Sequence, residues 1–98
     1  MFFETGFRKK IININQSVDR TKKTITLNWD YAEKEIEKFI IYRAKLTEPL
    51  TIIKTVTSAS VSFEDNTLNI GNTYEYRIKA IYNNGAESII SDAVIVEY

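Results

Sequence analysis

The sequence predicts an all-β sandwich of seven short strands, and three observations predict it. Apolar and polar residues alternate with a period of two along residues 24–30 and 73–80, as they do in strands with one buried face. Further runs rich in β-branched and aromatic residues recur with turn signals about every 8 to 12 residues. The chain has 98 residues, which leaves room for one domain and one core, so these strands must pack on each other.

Residues 1–10 form an N-terminal lead or edge segment whose Phe2, Phe3 and Phe7 suit an added edge strand, a cover for one end of the sandwich, or a contact with a preceding domain. Ile11, Ile12 and Ile14 supply a short first strand over 11–15, with 16–23 as the loop after it. Residues 24–30 place Ile25, Leu27 and Trp29 on one face and Thr24, Thr26 and Asn28 on the other. Residues 31–38 contain the helix formers Ala32, Glu33, Lys34 and Glu35, but a run this short is marginal as a helix and reads as a loop or single turn. Residues 37–44, 50–56 and 58–64 are strands by their β-branched and aromatic content, with Pro49 in one of the connections. In 73–80, Tyr74, Tyr76, Ile78 and Ala80 share a face opposite Glu75, Arg77 and Lys79. Asn83-Asn84-Gly85 is the chemistry of a tight hairpin turn needing positive φ, and it joins 73–80 to a last strand over 91–98. The expected core is Ile25, Leu27, Trp29, Phe39, Ile41, Val61, Phe63, Leu68, Tyr74, Tyr76, Ile78, Ala80, Val94 and Val96.

Composition removes whole classes of function. Thirteen basic residues balance thirteen acidic ones, so no global field gathers nucleic acid or anionic lipid. With neither Cys nor His, the chain offers no disulfide, thiolate nucleophile, imidazole base or Cys/His zinc site. No N-terminal stretch has the order of a signal peptide, and no apolar run approaches the roughly 18 residues that would span a bilayer. The expectation is a non-enzyme without cofactor or metal, making no nucleic-acid contact and no membrane insertion.

Three blocks then resemble a fibronectin type III domain of the bacterial type, over residues 11–98. Ile25-Thr26-Leu27-Asn28-Trp29 is similar to the family's second strand with its core Trp. Phe39-Ile40-Ile41-Tyr42-Arg43 is similar to its third strand. The stretch from Ser62 to Ala80 follows the pattern from the fifth strand through a Leu-x-Pro-Gly-x-x-Tyr corner into the sixth, with Leu68, Gly71 and Tyr74 in place and Ile70 where the family usually has Pro. The resemblance implies a seven-stranded, immunoglobulin-like Greek-key sandwich. It also implies that Trp29, Leu68, Gly71 and Tyr74 are structural, the Tyr74 hydroxyl bonding to upstream backbone near Leu68.

Candidate chemistry is sparse. Asp30, Glu33, Glu35 and Glu37 form one acidic cluster and Glu64-Asp65 a second; both read as solvated loops, since neither has the spacing of a calcium loop and a small sandwich has little room for a carboxylate-lined cleft. The Arg-Gly-Asp adhesion tripeptide is absent. For carbohydrate, the single Trp is committed to the core, which leaves Tyr31, Tyr42, Tyr82 and Tyr98 as the aromatics available for exposure. By alternation Ile40 and Tyr42 face outward on the sheet that carries Arg77, Lys79, Ile81, Ala93 and Ile95. This mixed apolar and basic face, centred on Ile40, Tyr42, Arg77, Lys79 and Ile95, is the candidate contact surface. The role implied by the resemblance is a spacer or protein-interaction module of a larger secreted or cell-surface bacterial protein, meeting neighbouring domains or another protein. The alternative is a carbohydrate-binding accessory domain beside a glycoside-degrading enzyme.

Overall fold

In a computed structural model that describes residues 7–98, the alternating runs form two sheets facing each other across one core, with no helix among the described residues. Nine strand segments are present: β1 (Phe7–Arg8), β2 (Asn15–Asp19), β3 (Thr24–Asn28), β4 (Ile36–Lys45), β5 (Thr51–Thr57), β6 (Ser62–Asp65), β7 (Thr73–Tyr82), β8 (Glu87–Ser88) and β9 (Val94–Glu97). The larger sheet runs β1-β8-β7-β4-β5 with β9 also on β7, and the smaller runs β2-β3-β6. Every pairing is antiparallel except that of β1 with β8. The two segments beyond the expected seven, β1 and β8, are two residues each. Phe7–Arg8 is thus an edge strand, while Phe2 and Phe3 lie outside the described residues.

The strongest alternation gives the most regular strand. Along β7 every second residue from Tyr74 to Tyr82 is buried. It pairs with β4 from Lys45↔Tyr74 to Ile36↔Tyr82, so Phe39 and Ile41 stand beside Ala80 and Ile78 on the inner face. From the smaller sheet Ile25, Leu27 and, just past β3, Trp29 close the layer, the Trp29 ring meeting Phe39 edge-on at 5.5 Å between centroids.

Several expectations need correction. The first strand is not 11–15. Ile11 is buried in the core without belonging to a strand, Asn13 turns the chain at φ 58°, and pairing begins at Asn15. What was expected as loop is therefore β2, which ends where Asp19 Oδ1 accepts the amides of Thr21 and Lys22 and tightens the turn into β3. Val61 is not core: it is 46% exposed, because it precedes β6 and contributes its carbonyl, which accepts the Trp29 amide, rather than its side chain. Phe63, Leu68 and Val94 are half-buried against the core.

The last strand is also divided. The Asn83-Asn84-Gly85 hairpin forms, with Gly85 at φ 88°, but it returns into the two-residue β8, and the chain then leaves the sheet before β9 rejoins the start of β7. Two buried serines cover the gap. The Ser88 hydroxyl accepts the Ala80 amide at 2.9 Å and the Ser91 hydroxyl accepts the Ile78 amide at 2.8 Å, standing in for strand carbonyls.

Candidate interaction face

The expected contact residues do meet on the outer side of the larger sheet. Ile40 lies opposite Lys79 and Tyr42 opposite Arg77 across the β4–β7 pairing, while Ile95 on β9 lies opposite Glu75. Ile95 is 55% exposed, and Ile52 of β5, opposite Tyr42, is 59% exposed. An open groove of about 430 Å³ runs beside them, lined by Tyr42, Lys79, Ser88, Ile89 and Ile90.

The face is less basic than the sequence suggests. Arg77 Nε donates to Glu75 Oε2 at 2.7 Å and its Nη1 to the Ser91 carbonyl at 3.1 Å, while Lys79 Nζ donates to Glu87 Oε1 at 2.9 Å. The Glu87 bond holds the Lys79 ammonium above its ordinary pKa against a smaller opposing effect of burial. Lys79 also sits over the Tyr42 ring, 5.8 Å from its centroid. Both cations are neutralised in place, which leaves a surface of aliphatic and aromatic groups between closed ion pairs.

Of the four tyrosines expected to be available for exposure, Tyr82 and Tyr98 are buried and only Tyr31 and Tyr42 are half-exposed. Tyr82 extends the inward alternation of β7 by one step, and Tyr98 extends that of Val94 and Val96. Tyr31 Oη donates to the Lys9 carbonyl and lies 2.8 Å from Tyr82 Oη. Burial, followed by that contact, pushes the Tyr31 phenol well above its usual range.

The acidic clusters separate. Asp30, Glu35 and Glu37 are exposed and Glu33 pairs with Lys9 at 3.0 Å. Asp65 is not a solvated loop residue: at 3% exposure it ends β6 on the same face as Phe63 and points into the sandwich. Its carboxylate accepts from Tyr76 Oη at 2.6 Å, Arg43 Nη1 at 2.8 Å, and the Thr67 hydroxyl and amide at 2.7 and 3.0 Å. Burial favours the protonated acid, but these bonds outweigh it and hold the group below the usual carboxylate range. The set is fully occupied with itself and works as a clamp between the sheets. Among the described residues no group of three or more acidic side chains is placed to hold a metal.

Near the clamp, Tyr74 is fully buried and its hydroxyl accepts the Asn69 amide at 2.7 Å, with the Arg43 guanidinium 5.2 Å from its ring centroid. Gly71 turns the chain at φ 90°, Leu68 packs on the core, and Ile70 projects into solvent at 79% exposure.

Comparison with known proteins agrees with this architecture. Residues 11–97 match the family model of the fibronectin type III domain. A Fn3-like protein from Clostridium thermocellum superimposes with a TM-score of 0.71 at 26% identity over 88% of each chain. Part of the pectate lyase PelI from Erwinia chrysanthemi, solved in complex with tetragalacturonic acid, superimposes at 0.75 and 22% identity over 85% of this chain and 27% of that one. Pectate lyase Pel3 from Pectobacterium carotovorum gives 0.67 and 18% over 91% of this chain and 25% of that one. The chain thus spans about a quarter of the lyases it resembles. No curated protein is matched. With two sheets antiparallel but for the short β1–β8 pairing, a buried Trp29 just past β3, and a family match over nearly its whole length, the chain belongs to the fibronectin type III domain family.

Proposed function

We propose that the chain is a non-catalytic module of a larger bacterial secreted or cell-surface protein, acting as a spacer or protein-interaction domain through the outer face of its larger sheet. The observation that carries this reading is the company of Ile40, Tyr42 and Ile95 with Arg77–Glu75 and Lys79–Glu87. A partner covering such a face buries apolar area while every cation keeps its counter-ion, which avoids the large cost of stranding a charge. The family membership and the match to about a quarter of the length of pectate lyases support the modular role.

Hydrogen–deuterium exchange on the domain alone and within its parent protein tests this. The expected result is slower exchange at Ile40, Tyr42 and Ile95 in the parent. Equal exchange in both would remove the outer face as a contact.

A carbohydrate-binding accessory role is the second reading, favoured by the likeness to a lyase held with tetragalacturonic acid and by the half-exposed Tyr42. It requires Lys79 to leave the Tyr42 ring, since that ring face is occupied. Titration of the domain with oligogalacturonate, followed by tyrosine fluorescence, checks it: a saturable change lost in Tyr42→Ala supports the role, and a flat titration refutes it.

A further inference from the structure

We propose that the free edge of β5 docks an extended strand of another protein that presents a carboxylate to Lys54. This edge adjoins the outer face at Ile52 and does not rest on that face's role.

β5 ends the larger sheet and is paired only with β4, with one register shift between Ile52 and Lys54, so amides and carbonyls on either side of that bulge point outward without a strand to receive them. Its sequence is Thr-Ile-Ile-Lys-Thr-Val-Thr, β-branched everywhere except Lys54 and free of Pro. The other edges are shorter: β1 is two residues, β6 and β9 are four each, and β2 is five and reads Asn-Gln-Ser-Val-Asp. β5 is the longest edge, and its composition favours addition of a further strand.

Lys54 decides which strand. It lies opposite Ile41, on the side of the sheet that faces the core, yet it is exposed and makes no ion pair among the described residues. A strand laid along β5 strips water from this ammonium, a cost that a neutral neighbour does not repay. Two copies of β5 paired antiparallel over their full length bring Lys54 against Lys54, so a second copy of the chain is the wrong occupant. A foreign strand with Asp or Glu at that point converts the penalty into a charge-assisted hydrogen bond. The register shift between Ile52 and Lys54 turns Ile52, exposed and opposite Tyr42, to the other face, where it favours an apolar side chain in the same partner. The fitting ligand is an extended segment with an acid on one face and an aliphatic residue on the other.

The test uses the full chain, isotope-labelled, titrated with a short peptide of alternating Thr and Val carrying a central Glu, against the same peptide with central Gln or Lys. Amide shifts are expected along Thr51–Thr57, with the Glu peptide binding about tenfold more tightly than the Gln peptide. Lys54→Glu is expected to invert the order in favour of the Lys peptide, and Lys54→Thr to self-associate in sedimentation. Shifts on other edges, equal affinity for Glu and Gln peptides, an unchanged order in Lys54→Glu, or a monomeric Lys54→Thr would each overturn the proposal. Ile95→Glu, which alters the outer face, is expected to leave peptide binding unchanged, so failure of one surface is not mistaken for failure of the other.

Discussion

Tyr76 Oη donates a 2.6 Å hydrogen bond to Asp65 Oδ2, joining β7 of the larger sheet to β6 of the smaller one through a fully buried contact. With Arg43 on β4 reaching the same carboxylate oxygen at 2.8 Å, the two layers are held by a polar cluster as well as by apolar packing. Tyr76→Phe keeps the ring and removes only the hydroxyl. Urea denaturation is expected to show a loss of about 1.5–3 kcal/mol, the usual worth of a hydrogen bond to a charged group. A double-mutant cycle with Asp65→Asn should give a coupling of about 0.5–3 kcal/mol; strictly additive losses would show that the contact contributes nothing.

The same cluster sets a pH dependence. The folded-state pKa of Asp65 is depressed below its unfolded value of about 3.9, so its stabilisation is present above that pH and is lost as pH falls through the folded value. The pKa of Tyr76 is raised, first by burial and then by the Asp65 bond, so its contribution holds below the unfolded value of about 10 and is lost above it. Thermal midpoints should decline at both extremes. Asp65→Asn should flatten the acid limb and Tyr76→Phe the alkaline one, and limbs unchanged in both variants would contradict this assignment.

Tyr74→Phe removes the acceptor of the Asn69 amide. The expected loss is about 0.5–1.5 kcal/mol, the net worth of a hydrogen bond whose donor sits on an exposed residue and can turn to water. A Phe variant as stable as the parent would show that the corner does not depend on this bond.

Ser91→Ala leaves the buried Ile78 amide without the hydroxyl that receives it. A loss of about 1–3 kcal/mol is expected, together with faster hydrogen exchange at Ile78 while Tyr74 and Tyr76, backed by β9, stay protected. Uniform loss of protection along β7 would indicate a general rather than a local effect.

Trp29→Ala opens a cavity beside Phe39, with an expected cost of about 3–5 kcal/mol. Trp29 Nε1 is buried and finds no hydrogen-bond acceptor among the described residues, so Trp29→Phe removes an unsatisfied donor along with some contact area. It should cost clearly less than the Ala variant in the same denaturation series.

Side-chain alternation made most of the sandwich legible. Ile25, Leu27 and Trp29, and the four residues from Tyr74 to Ala80, are all buried on the expected face. The same signal, carried further, also places Tyr82 and Tyr98 inward and puts Asp65 beside Phe63. Those residues were misjudged because polar identity was weighed above parity. What no local pattern reveals is the partner across the gap. Arg43, Thr67 and Tyr76 become ligands of Asp65 only when the two sheets close. Likewise, Glu87 neutralises Lys79 only once the hairpin closes, whereas Glu75 and Arg77, two apart on β7, already share a face in the sequence. Ile11 is a third case: an apolar residue can fill a core from a loop, and Asn13, at positive φ, marks where strand geometry had yet to begin.

Ser88 and Ser91 give the fold a region whose sequence is uncoupled from its register. Because their hydroxyls complete the ladder on either side of the excursion, the residues between them, Ile89 and Ile90, carry none of the alignment of β7 with β8 and β9. Their side chains can be exchanged at little cost to that alignment, while the Ile89 amide, donating to the Arg8 carbonyl, ties β1 to the sheet, and they line the groove beside Tyr42 and Lys79. The side chains lining that groove are free to diversify while the scaffold beneath it stays the same.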